Sequence, residues 1–142
     1  MILIDANLLI YAYNPEATQH ERSRAWLEES LDGPDPVGLS WTSILAFLRI
    51  TTDRRLFEEA AAMSTSAGVV ASWLARRNVI VLNPGERHWD ILASILDSAH
   101  VAGPLVMDAD IAALAIEYGA TLCTSDRDFA RFPGLRVLNP LE

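Results

Sequence analysis

Residues 108–129 read DADIAALAIEYGATLCTSDRDF, and the order of signals in this stretch decides the fold. Ile111, Leu114, Ala115 and Tyr118 recur at the three-to-four spacing of a helix with one buried face, which predicts a helix over Ala109–Tyr118. Gly119 supplies its C-terminal stop. The short apolar run Thr121–Cys123 then reads as a buried strand, with Asp126 and Asp128 directly after it. Asp108 precedes the helix as its N-cap, with Asp110 in the first turn, where the helix dipole favours negative charge.

Working outward, further short apolar runs at Ile2–Ile4, Val37–Leu39, Val79–Leu82 and Arg136–Leu138 read as strands buried on both faces. Helical patterns separate them: Thr18–Leu31, Trp41–Thr51, Val69–Arg77 and Arg87–Ala99. Strands alternating with helices require crossover connections. The expectation is an α/β chain, a three-layer α/β/α sandwich around a mostly parallel sheet of about five strands. Loops are predicted at Asp32–Pro36 (DGPDP) and near Ser64–Gly68. With 142 residues, 51% of them apolar, the chain reads as one domain over 1–142. The opening MILIDANLLIYAY has no basic flank, carries Asp5, and is short of the ~20 residues of a membrane span.

Charge narrows the chemistry. The net charge is −8, which excludes a generic basic nucleic-acid module, and the chain contains no lysine, which excludes Schiff-base chemistry and a P-loop lysine. The single cysteine, Cys123, cannot form an internal disulfide, which fits a reducing cytoplasm.

In parallel α/β sheets, ligand sites lie beyond the carboxyl ends of strands, so acids at those positions are informative. Asp5 ends the first strand, Asp126 and Asp128 follow the TLCTS strand, and Asp108 opens the helix leading into it. Each has a local explanation as a helix cap, worth about 1 kcal/mol, and Ser125-x-x-Asp128 resembles a capping box. Taken together, they aim carboxylates from three places into one crevice, where a bound cation would offset their repulsion. Oxygen ligands without Cys or a His pair select Mg²⁺ or Mn²⁺, ions that activate water for in-line phosphoryl displacement.

MILIDANLLIYAY, SWTSILAFLRITT and DADIAALAIEYGATLCTSDRDFARFPGLRVLNPL, taken in order, resemble the PIN-domain ribonucleases of the VapC type, the toxins of type II toxin–antitoxin pairs. The resemblance runs from Met1 to Glu142. It implies a Mg²⁺- or Mn²⁺-dependent endoribonuclease, a homodimer, a cytoplasmic location away from membranes, and a cognate VapB-type antitoxin whose C-terminal segment occludes the site. By the same resemblance Asp5, Asp108 and Asp126 match acids that hold the metal, and Asp128 matches an additional catalytic acid found in many members. One position departs: Ala46 stands where the family carries a Glu, which bears on whether one or two ions bind. Asp110 is the candidate to compensate, but residues two apart on a helix face about 200° apart, so it shares an ion with Asp108 only if Asp108 lies outside the helix.

Other residues carry weaker signals. His20, His88 and His100 match no ligand pattern, and GERH at Gly85–His88 reads as a helix start. Trp26, Trp41, Trp73 and Trp89 fall on apolar helix faces and are expected in the core or a dimer interface. Arg49, Arg54 and Arg55 either meet RNA phosphate or simply solvate a helix end. Two other functions remain open on the residues: a PIN module that binds antitoxin or RNA without efficient cleavage, suggested by Ala46, and a HAD-like phosphatase. The latter would need Asp-x-Asp after the first strand, where this chain has Asp5-Ala6-Asn7.

Overall fold

The computed structural model describes residues 1–142. The chain runs β1 (Ile2–Ile4), α1 (Ala6–Tyr13), α2 (His20–Asp32), β2 (Val37–Leu39), α3 (Trp41–Thr51), α4 (Met63–Leu74), β3 (Val79–Val81), α5 (His88–Ser98), α6 (Leu105–Tyr118), β4 (Thr121–Cys123), a 3-10 turn (Arg127–Arg131) and β5 (Arg136–Leu138). The five strands form one sheet in the order β3-β2-β1-β4-β5, every neighbouring pair parallel. Every strand therefore ends at the same edge, and the crossover helices fall on both faces.

The side-chain alternation of a strand divides the core in two. Leu3 and Leu122 point into a cluster with Ile95 of α5 and Ile111 and Leu114 of α6, while Ile4 and Cys123 point the opposite way, toward Leu8, Leu27, Phe47 and Trp73. Ala109, Ala112, Ala113 and Ala115 are fully buried, and their small side chains let α6 lie close against the sheet. Gly38 has a comparable role in β2: a Cβ there would lie 2.8 Å from Leu82 Cδ1 and 3.1 Å from the Ile2 carbonyl oxygen. Gly119 ends α6 in the left-handed conformation, at φ 64°, and its amide donates back to the last turn of the helix.

Three expectations are corrected. The edge strands are not buried on both faces: β5 is exposed along its length and Ile80 of β3 faces solvent, because only β2, β1 and β4 have strands on both sides. Helix α4 starts at Met63 rather than Val69, so the supposed break at 64–68 is helical; Ser66 turns inward, its hydroxyl 2.8 Å from that of Thr51. Helix α6 starts at Leu105, one turn before Asp108, since Pro104 is compatible with a helix start and Leu-Val-Met continues it. Trp73 is buried and Trp26 packs against the core, as expected, while Trp41 and Trp89, 50% and 66% exposed on outward faces of the first turns of α3 and α5, lie outside the core and keep the interface alternative. No helix is long and apolar enough to cross a membrane.

Candidate active site

Asp5 follows β1 at the carboxyl edge of the sheet and is 8% exposed. Its amide donates to the Cys123 carbonyl at 3.0 Å, which continues the β1–β4 pairing and carries Asp5 to the level of the residue after β4. That residue is Thr124, itself buried. The Thr124 hydroxyl donates to Asp5 Oδ2 at 2.8 Å, while Asp5 Oδ1 accepts the Ala6 amide at 2.8 Å and caps α1. Burial pushes the Asp5 carboxyl upward from its ordinary pKa; the Thr124 and Ala6 hydrogen bonds pull the other way, and the Asp126 charge adds to the rise.

Thr124 also organises its own side of the site. Its oxygen accepts from the Asp126 amide at 3.0 Å and from Asn7 Nδ2 at 3.3 Å. Asp126 Oδ1 in turn accepts the Asp128 amide at 2.9 Å and caps the 3-10 turn. The cap is thus Asp126 and not Ser125, which corrects the capping box. The role of Thr124 was not legible in the sequence, because it depends on three hydrogen-bond partners, two of them 117 and 119 residues away.

Asp108 lies inside the first turn of α6 rather than at its cap. Its carboxyl is raised to about 6, first by burial and then by the charges of Asp5, Asp126 and Asp128, with Arg131 opposing. The charges of Asp5, Asp126 and Asp128 thus all bear on Asp108 near the ends of β1 and β4. Asp110 takes a different direction, as expected for residues two apart on a helix. Its Oδ1 is 2.7 Å from His88 Nε2 at the start of α5, and Thr42 Oγ1 of α3 donates to its Oδ2 at 3.4 Å. GERH does start a helix, but His88 also anchors Asp110, a link absent from any linear signal. Ala46 stands one turn beyond Thr42 on the same face of α3. Among the arginines of that region, Arg55 folds back on Asp53, with Nη2 2.9 Å from Oδ2.

The donors gathered here are oxygens: carboxylates of Asp5, Asp108, Asp126 and Asp128, and the buried Asn7 Oδ1, which has no hydrogen-bond partner. That donor set and the mutual destabilisation of the charged acids suit a hard divalent cation. No three acidic, His or Cys side chains close into a ready-made ligand set.

A family model described as PIN domain matches residues 2–135. Ribonuclease VapC37 of Mycobacterium tuberculosis is 41% identical over 140 residues, spanning 99% of this chain and 97% of that protein. Ribonuclease VapC33 of the same species is 38% identical over 141 residues, spanning 99% of both. Among solved structures, the fold is similar to FitAB bound to an IR36 DNA fragment (TM-score 0.71, 24% identity, 100% of this chain and 96% of that one). It is also similar to VapBC2 from Rickettsia felis bound to a DNA fragment from their promoter (TM-score 0.69, 19% identity, 98% of both chains).

Proposed function

The chain belongs to the PIN-domain family, among the VapC ribonucleases, and from that premise we propose that it is a metal-dependent endoribonuclease acting as the toxin of a toxin–antitoxin pair. The observation that carries the reading is the electrostatic convergence of Asp5, Asp108, Asp126 and Asp128 at the carboxyl edge of a parallel sheet. Helix capping explains Asp5 and Asp126 alone, and gives no reason for Asp108 to stand where burial and the charges of Asp5, Asp126 and Asp128 disfavour its ionised form.

In this reading Asp5, Asp108 and Asp126 hold Mg²⁺ or Mn²⁺, and Asp128 orients water from beside them. The ion supplies Lewis-acid activation of a water and neutralisation of charge on the phosphodiester. The chain's own contribution is orientation. Thr124 holds the Asp5 carboxylate from one side and the Asp126 backbone from the other, so the two acids keep a common frame. Ala6 fixes the second oxygen of Asp5. The 142 residues act as one catalytic domain, in the cytoplasm, as a homodimer bound by a VapB-type antitoxin. An acidic crevice of this kind attracts a basic inhibitory segment. Ala46 gives specific support to a second reading, a module that binds RNA or antitoxin and cuts poorly, because it removes one carboxylate from the family set.

Purified protein incubated with RNA and Mn²⁺ separates the two. Cleavage that stops with a chelator, and in Asp5→Asn and Asp108→Asn with unchanged circular dichroism, is the expected result. Cleavage at the wild-type rate by both variants would overturn the catalytic assignment, because Asn caps a helix nearly as well as Asp and would preserve a merely structural role.

A further inference from the structure

We propose that Arg131 is a ligand for the RNA phosphate, its guanidinium placed beside Asp128 to receive the substrate's charge at the carboxylate site. The inference rests on the ribonuclease reading and names how this chain brings an anion to an anionic site.

Arg131 ends the 3-10 turn that begins beside Asp126. Its Nε donates to the Asp128 carbonyl oxygen at 3.2 Å, which fixes the plane of the guanidinium, while an Nη stands 3.7 Å from Asp128 Oδ1, too far for a hydrogen bond. The side chain is 41% exposed, and only its Nε is engaged in a hydrogen bond, which leaves the Nη donors free for a ligand. An exposed ion pair at this separation contributes little to stability, so the Asp128 contact does not account for the placement.

Several other arginines are engaged elsewhere, Arg24 with Glu28 and Arg76 with Asp32 among them. Arg22 donates to the Leu141 carbonyl, Arg55 is closed on Asp53, Arg87 donates to the Glu117 carbonyl, and Arg136 donates to the Gly119 carbonyl. Arg127, on the same turn as Arg131, is 93% exposed and extends toward Glu142. A phosphodiester approaching four carboxylates is repelled over roughly 8–10 Å at physiological ionic strength. A guanidinium at the rim offers paired N–H donors matching two non-bridging oxygens, and an ammonium does not reproduce that geometry.

The test measures binding of a 5′-labelled single-stranded RNA to the full chain by fluorescence anisotropy in EDTA, across a salt series, together with single-turnover cleavage in Mn²⁺. For R131A the expected loss of affinity is about five- to tenfold, and the slope of log affinity against log salt falls by about 0.7, the release expected for one phosphate contact on a single strand. R131K retains the slope but cleaves more slowly than the wild type at saturating enzyme. Mn²⁺ affinity, read by titration without RNA, stays within twofold in both. R127A, the control on the same turn, binds with wild-type affinity and slope. R131A binding within twofold of wild type with an unchanged slope overturns the proposal, as does an equal loss in R127A. Should the wild-type chain neither bind nor cut RNA, the ribonuclease reading falls and this proposal with it; should it cut RNA and R131A match it in affinity and slope, the phosphate role alone falls.

Discussion

Thr124 donates its hydroxyl hydrogen to Asp5 Oδ2 at 2.8 Å and accepts the Asp126 amide on the same oxygen at 3.0 Å. One buried hydroxyl thus ties the acid after β1 to the acid after β4. A side chain in this position is worth more than its own hydrogen bonds, because it sets the relative position of two charged groups that would otherwise move apart.

Thr124→Val keeps the shape and removes the hydroxyl. It leaves a buried carboxylate oxygen without that donor and the Asp126 amide without its acceptor, so the expected cost is about 1–3 kcal/mol of stability in urea denaturation. RNA cleavage falls further than stability predicts, while Thr124→Ser recovers most of both. A Val variant with wild-type stability and cleavage would show that the hydroxyl is not organising the site.

The pH dependence follows from Asp108. Its carboxyl is raised to about 6 from an ordinary value of 3.8, so between these values the folded chain binds more protons than the unfolded chain. Stability without added metal therefore falls as pH rises through that window, and Asp5, raised in the same direction, adds to the decline. Asp108→Asn should flatten the decline and stabilise the chain at pH 7 by on the order of 1 kcal/mol, allowing for solvent screening of a partly exposed group. Thermal melts of both proteins from pH 4 to 8 check this; a decline undiminished in the variant refutes it.

Divalent metal should reverse the penalty. An ion that binds only the folded chain stabilises it by about 2.7 kcal/mol at a hundred times its Kd. Mn²⁺ is therefore expected to raise the Tm of the wild type, and to do little for Asp5→Asn. An equal Tm rise in Asp5→Asn would place the ion elsewhere.

Ala46→Glu returns a carboxylate to α3, one turn beyond the Thr42 that contacts Asp110. Titration should show tighter Mn²⁺ binding than in the wild type. In the absence of metal the added charge should lower the Tm, since it joins acids that already repel one another. Unchanged Mn²⁺ affinity would mean that position 46 does not face the ion.

Phe47, the neighbour of Ala46, is fully buried and meets Tyr13 and Trp73 edge-on at ring-centroid distances of 5.5 and 4.8 Å. Phe47→Ala should cost about 3–5 kcal/mol. The loss is expected in chemical denaturation with an unchanged m value, and a cost below 1 kcal/mol would contradict the packing described for this face.

Element type and order were legible in the sequence, because hydrophobic period is a property of neighbouring residues and survives without tertiary context. Val37–Leu39, Thr121–Cys123 and the Gly119 stop stand where the pattern puts them. The carboxyl-edge rule also selected Asp5, Asp126 and Asp128, since which acids follow strands is a linear fact, and Asp108 was picked out by its place near the start of the helix leading into β4. Helix starts were less legible: a first turn such as Leu105–Met107 has no period of its own, so Asp108 resembled a cap. What a side chain faces was decided only by the packed structure. Asp110 joined His88 and Thr42, Trp41 and Trp89 turned outward, and Thr124 linked Asp5 to Asp126, because each outcome depends on the rotation of one element against another and on a partner that is distant in sequence.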